Sequence, residues 1–211
     1  IYKPSHDTIE LIANKITKHK NPVIIAGHEV ATSNAFTEIS SFAEITGSAV
    51  YQQTVPHGSH YPSEHIAFMG TLPRLQKPTK KILDNYDLLI CIGCDGLRMS
   101  VWSEIEPLPP KMAIIHIGLD DWQIGKNYYT ELGIIGNVKT TLNDLNLFLT
   151  NTLTPKYVKQ ANNNLKIISK NNRTAKRKNL SLKTLDDKFK KPITPNWLMM
   201  NLANNISKNN I

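Results

Sequence analysis

The sequence predicts an α/β fold, a doubly wound and mostly parallel sheet of five to six strands with helices on both faces, Rossmann-like in layout. Three observations carry this. Short apolar runs end on glycine in PVIIAG (22–27), DLLICIG (87–93) and KMAIIHIG (111–118). Between them lie stretches with apolar residues at helical spacing. The runs are continuous rather than alternating, as in strands covered by helices on both faces of a parallel sheet.

Taken in order, Asp7 to Lys20 places Ile9, Ile12, Ala13 and Ile16 on one helical face, with Ser5 or Asp7 as N-cap and Asn21-Pro22 as the stop. PVIIAG is the first buried strand. Ala31 to Thr46 reads as a helix with Phe36, Ile39, Phe42 and Ala43 inward and Gly47 at its C-terminal cap. Ser48 to Gln52 is a second short strand. Thr54 to Pro73, rich in Pro, Gly, His and Ser, reads as a long loop of the kind that is more often functional or interfacial than idle. Lys77 to Asn85 is a helix, 87–93 and 111–118 are strands, and Asp121 to Gly125 is a helical turn. GIIG (133–136) is the last strand, and Asn137 to Thr150 a helix with Leu142, Leu145 and Leu149 inward. Residues 1–150 therefore form one α/β domain. Residues 151–193 lose apolar density and read as a basic polar linker, with a piece of helix around Leu165, Ile167 and Ile168. In 194–211, Thr194 caps and Pro195 opens a new amphipathic helix, as the first helix of a further domain would.

Charge is segregated along the chain. The net +8 arises from Lys156 to Lys191, where 12 Lys and Arg face 2 Asp, whereas residues 1–155 hold 12 basic and 15 acidic groups. A basic, Asn-rich segment poor in aromatics reads as solvated surface rather than a nucleic-acid-reading element. No apolar run reaches the roughly 18 residues of a membrane span, and the first residues lack a signal-peptide pattern; a cytoplasmic chain is expected. Cys91 and Cys94 form a CxxC, but no second pair exists to complete a zinc site, and Cys91 sits in an apolar run where a buried thiol is ordinary. His57, His60 and His65 crowd the long loop without a nearby cysteine, a weak metal pattern. Trp102 and Trp122 follow strand ends and are expected to cover the sheet edge.

Three patterns, in this order and spacing, resemble the central domain of thiamine-diphosphate-dependent enzymes of the acetolactate synthase and benzoylformate decarboxylase type. PVIIAGHEV (22–30) resembles that domain's opening strand and glycine turn. Within 61–73, Pro62, His65, Phe68 and Gly70 match the family's P-x-x-H-x-x-F-x-G loop. DLLICIGCDGLR (87–98) and IIHIGLDDWQIGKN (114–127) resemble paired strand-and-turn segments, although Gly118 stands where the family often has aspartate and Asp121 where it has proline. IAFMGTLP leans toward benzoylformate decarboxylase and IGKN toward acetolactate synthase. TPNWLMMNL (194–202) is similar to the start of the family's diphosphate-binding domain.

The resemblance implies a non-catalytic domain, of the DHS-like NAD/FAD-binding type, from a parent decarboxylase or carboligase acting on a 2-keto acid. The parent would hold thiamine diphosphate and Mg2+ on its other domains, and would be a homo-oligomer when full length. Gly93-Cys94-Asp95-Gly96 nearly matches the family's metal-binding G-D-G, but Cys94 breaks the triplet and no Asn-Asn follows at the needed distance. Resemblance further implies FAD in some members, an adenine nucleotide such as ADP in others, and nothing in the simpler decarboxylases. In a doubly wound sheet such a ligand lies beyond the carboxyl ends of the strands. The candidate cofactor-binding residues are thus Gly27, His28, Gly93, Arg98, Gly118 and Asp120. Glu29 would repel a phosphate there, and Arg98 either faces one or pairs with Asp95 or Glu104. The favoured reading is an empty or vestigial nucleotide site; a free-standing FAD- or adenine-nucleotide-binding module is the alternative.

Overall fold

The computed structural model describes residues 2–206. Six parallel strands form one sheet: β1 (Pro22–Ala26), β2 (Ala49–Gln52), β3 (Phe68–Thr71), β4 (Leu88–Ile92), β5 (Ala113–Gly118) and β6 (Leu132–Ile135), in the order β3-β2-β1-β4-β5-β6. The order reverses between β1 and β4, whose residues pair from Pro22 with Leu88 to Ala26 with Ile92.

Strand periodicity sends alternate side chains to two separate cores. Ile24, Ala26, Leu88, Ile90, Ile115 and Ile117 face one side. There they meet α1 (His6–Thr17), α3 (Phe36–Thr46) and α5 (Val138–Thr152), through Ile12, Phe42 and Leu145 among others. Val23, Ile25, Leu89, Cys91 and Ile114 face the other side, with Leu83 of α4 (Gln76–Leu83). The two-sided burial expected of the apolar runs is therefore met: every residue of β1 and β4 is buried.

Local chemistry sets the element ends. Ser5 is the N-cap of α1, its side chain accepting from the Thr8 amide. Gly47 ends α3 with φ of 66°, the left-handed conformation that favours glycine. The helix expected over 31–46 is broken instead into α2 (His28–Thr32) and α3, with Asn34 at φ 52° between them. The long loop also contains a strand missed in the sequence. β3 is a short edge strand in which Gly70 adopts φ 111°, too brief for an alternation signal.

The segment 151–193, expected as a polar linker, is mostly helical. Thr154 caps α6 (Pro155–Asn171), and α7 (Arg173–Thr184) follows. Tyr157, Ala161, Leu165 and Ile168 make a narrow apolar stripe at helical spacing within a Lys- and Asn-rich stretch, which masks it in bulk composition. Ala161 abuts Gly47 just before β2, and Asn164 donates to the Lys20 carbonyl just before β1 at 2.8 Å. Asn172 donates to the Ile66 carbonyl just before β3 at 3.0 Å. The helix thus crosses the amino-terminal ends of three strands, leaving the carboxyl edge for other uses. The last described helix, α8 (Pro195–Asn205), buries none of its residues.

Candidate nucleotide crevice

The carboxyl edge gathers the six residues singled out in the sequence, but in three different situations. At the reversal point, Gly27 follows β1 and Gly93 follows β4. The Gly27 amide donates to the Ile92 carbonyl at 2.9 Å and the Glu29 amide to the Gly93 carbonyl at 3.1 Å. A Cβ on Gly27 would lie 2.1 Å from the Gly93 carbonyl oxygen and 2.2 Å from the Cys94 Cα. The glycines here serve close contact between two chain segments. The crevice that a doubly wound sheet offers at its reversal point is closed by backbone.

The second situation is the turn after β5. Leu119 donates its amide to Glu29 Oε2 at 2.7 Å, and Asp120 donates its amide to Glu29 Oε1 at 3.1 Å. A Cβ on Gly118 would approach Glu29 Oε1 to 3.2 Å. Glu29 is only 8% exposed. Successive backbone amides of this kind form an anion-binding concavity, and the chain fills it with its own carboxylate. Sequence reasoning anticipated that Glu29 opposes phosphate. It missed that Glu29 takes the phosphate's place, since nothing local to residue 29 points to residue 119.

The third is a short row of charges. Asp95 lies 3.6 Å from the Arg98 guanidinium and 3.9 Å from His28 Nδ1. Of the partners considered for Arg98, Asp95 is the one it meets. The Asp95 carboxylate, the nearest thing to a G-D-G aspartate, is thereby held by a cation. Next to it opens a cavity of about 840 Å3, whose lining includes Asp95, Arg98, Trp102, Gln123, Lys126 and Tyr128.

Trp102 and Trp122 do not cover the sheet edge as expected: they are 80% and 71% exposed. Trp102 lines the cavity, and Lys126 stands 5.0 Å from the Trp122 ring centroid. The loops after β4 and β5 are too irregular for the tryptophans to fold back on the strands. Lys126 and Gln123 were not singled out in the sequence, although Lys126 lies within the IGKN run.

The loop histidines separate. His65 is structural, with Nδ1 2.7 Å from the Tyr61 hydroxyl and Nε2 3.2 Å from Glu44. His60 is 1% exposed and neither ring nitrogen has a hydrogen-bond partner. Burial, with the nearby His28 and His57 adding to it, holds the His60 pKa below the ordinary value. Among the described residues no three His, Cys, Asp or Glu side chains converge as a metal site. Among the same residues no helix is long and apolar enough to cross a membrane.

Comparison with known proteins places this geometry. The chain is 33% identical over 140 residues to a probable acetolactate synthase large subunit of Methanocaldococcus jannaschii, covering 65% of this chain and 23% of that protein. It is 28% identical over 145 residues to an acetolactate synthase of Mycobacterium leprae, covering 68% and 23%. The chain therefore spans less than a quarter of the length of these curated relatives.

Among solved structures, a thiamine diphosphate-dependent 4-hydroxybenzoylformate decarboxylase of Rhodococcus jostii superposes with a TM-score of 0.67 at 23% identity, over 71% of this chain and 28% of that one. A benzoylformate decarboxylase of Polynucleobacter necessarius gives 0.63 at 23% identity, over 68% and 27%. At that identity these two establish the shared fold. The profile described as "Thiamine pyrophosphate enzyme, central domain" matches residues 9–145. The chain belongs to that family of thiamine pyrophosphate enzyme central domains.

Proposed function

We propose that this chain is the non-catalytic central domain of a thiamine-diphosphate-dependent 2-keto acid decarboxylase or carboligase, working through structure and inter-domain contact. The relatives named above support the reaction class. Residues 1–150 are the central α/β domain, 151–193 the connection that folds back across its amino edge, and the segment from 194 the opening of a diphosphate-binding domain, of which 207–211 lie outside the described residues. Flanking domains supply thiamine diphosphate and Mg2+ sites, the full-length protein is a cytoplasmic homo-oligomer, and the chain binds no nucleic acid specifically.

The observation that carries the reading is the Glu29 carboxylate on the Leu119 and Asp120 amides. It argues against a dinucleotide or ADP at the carboxyl edge, because a pyrophosphate there would displace a buried carboxylate and face its charge. The residues present therefore do not fit FAD or ADP, and the alternative of a free-standing nucleotide-binding module is not favoured. Nor does the edge fit Mg2+ with a diphosphate, since Asp95 is already paired with Arg98. The test is twofold. The purified chain is expected to show no thermal shift with FAD, ADP or thiamine diphosphate plus Mg2+, and no turnover of pyruvate or benzoylformate. The full-length protein is expected to release CO2 from a 2-keto acid only with thiamine diphosphate and Mg2+. Turnover by the chain alone, or a saturable FAD or ADP shift, would overturn the proposal.

A further inference from the structure

The CxxC pair, ordinary in sequence, acquires a partner in the fold. Cys91 is the fourth residue of β4 and pairs in register with His116 on β5. Cys94 lies just past the strand, beyond the left-handed Gly93 at φ 56°, and His116 Nε2 donates to its carbonyl oxygen at 2.9 Å. Both thiols are free and buried, and both belong to the same apolar cluster. A cavity of about 20 Å3 touches Cys91 and His116 and shares Asp95, Leu97, Gln123, Lys126 and Tyr128 with the large cavity beside it. That volume admits one molecule about the size of water, which needs roughly 10–15 Å3.

The electrostatics of the three groups agree with this geometry. A hydrogen bond from Cys91 and contact with His116 hold the Cys94 thiol below its ordinary pKa against the effect of burial. The same bond, with burial, raises Cys91. Burial alone would lower His116, but its bonds to Cys94 and the field of Glu29 carry it above the ordinary value. The two thiols thus titrate as one pair beside an imidazole, a setting in which a dithiol can oxidise stepwise.

We propose that Cys91 and Cys94 are a redox-modification site, a dithiol that hydrogen peroxide converts to an intramolecular disulfide, with His116, bonded to the Cys94 carbonyl and beside Cys91 in register, positioning the pair. The thiolate of the pair attacks one peroxide oxygen; an S–O bond forms, the O–O bond breaks, and the departing hydroxide takes the His116 proton to become water. The second sulfur then attacks that sulfenic acid; an S–S bond forms, the S–O bond breaks, and the leaving hydroxide takes the second thiol's proton. Two thiols and one peroxide become one disulfide and two waters, the thiols supplying both electrons.

The experiment uses the purified chain, treated with hydrogen peroxide, quenched, unfolded and alkylated. Expected is a product about 2 Da lighter that takes up no alkylating agent until dithiothreitol is added. Glutathione disulfide, too large for the cavity, is expected to leave both thiols alkylatable. Cys91→Ser and Cys94→Ser are each expected to form no disulfide, and the variant that keeps the attacking sulfur to stop at a dimedone-reactive sulfenic acid about 16 Da heavier. His116→Gln is expected to slow oxidation about tenfold near neutral pH and to move its pH midpoint toward that of an ordinary thiol. Glu29 and Cys94 are the titratable groups acting on that imidazole, and Asp95 and Lys126 line the small cavity with it.

Two alkylatable thiols after peroxide treatment of the unsubstituted chain would overturn the proposal, and that measurement stands even if a variant fails to fold.

Discussion

Replacing Glu29 with alanine strips two backbone amides of their acceptor. Leu119 and Asp120 donate to the carboxylate at 2.7 and 3.1 Å from a part-buried turn. A hydrogen bond to a charged group contributes about 1.5–3 kcal/mol, and partial exposure lets water replace some of it, so the expected loss is about 2 kcal/mol. For a chain of this size that lowers Tm by about 4–8 °C. Glu29→Gln keeps one carbonyl acceptor but turns an NH2 toward the second amide, and should lose at least half as much. The vacated amides then form an open anion site. Inorganic phosphate at about ten times its Kd would return about 1.4 kcal/mol to Glu29→Ala, and nothing to the unsubstituted chain. Urea unfolding with and without phosphate measures both effects. A loss under about 0.5 kcal/mol with no phosphate dependence would refute the reasoning, since that is the range of an uninvolved surface residue.

Three further outcomes follow from the packing. Gly27→Ala would drive a Cβ to 2.1 Å from the Gly93 carbonyl oxygen; backbone cannot yield as a flexible side chain does, so a loss of about 3 kcal/mol or more is expected by urea unfolding. Asn164→Ala removes the bond to the Lys20 carbonyl and should cost about 1 kcal/mol if α6 is integral to the domain, and nothing measurable if it is a detached linker. His60 is held below its unfolded pKa by burial, with His28 and His57 nearby. The unfolded chain therefore binds more protons as pH falls below the ordinary histidine value. Its contribution is full above that value and is lost as pH drops toward the folded pKa. The urea midpoint should fall from pH 7.5 to pH 5 by less in His60→Gln than in the unsubstituted chain.

Much of the architecture was legible because it rests on local pattern. PVIIAG, LLICIG and AIIHIG are apolar on both faces, so each had to be an interior strand, and helical spacing in 7–20 and 137–150 could only pack against them. Where the local signal was thin, reading failed. β3 is four residues long at an edge, and α6 hides a narrow stripe of Tyr157, Ala161, Leu165 and Ile168 among lysines and asparagines.

At the candidate site the sequence determined which residue types stand at the strand ends, because a glycine-ended apolar run specifies both the strand and the turn after it. Only the tertiary structure decided what those residues do. Glu29 reaches amides 90 positions away, Gly27 serves contact with Gly93 and Cys94, and His116 comes beside Cys91 through strand register. A parallel sheet joins neighbouring strands only through long crossover connections, helical between β1 and β2 and irregular between β4 and β5, so such neighbours leave no spacing in the sequence to read.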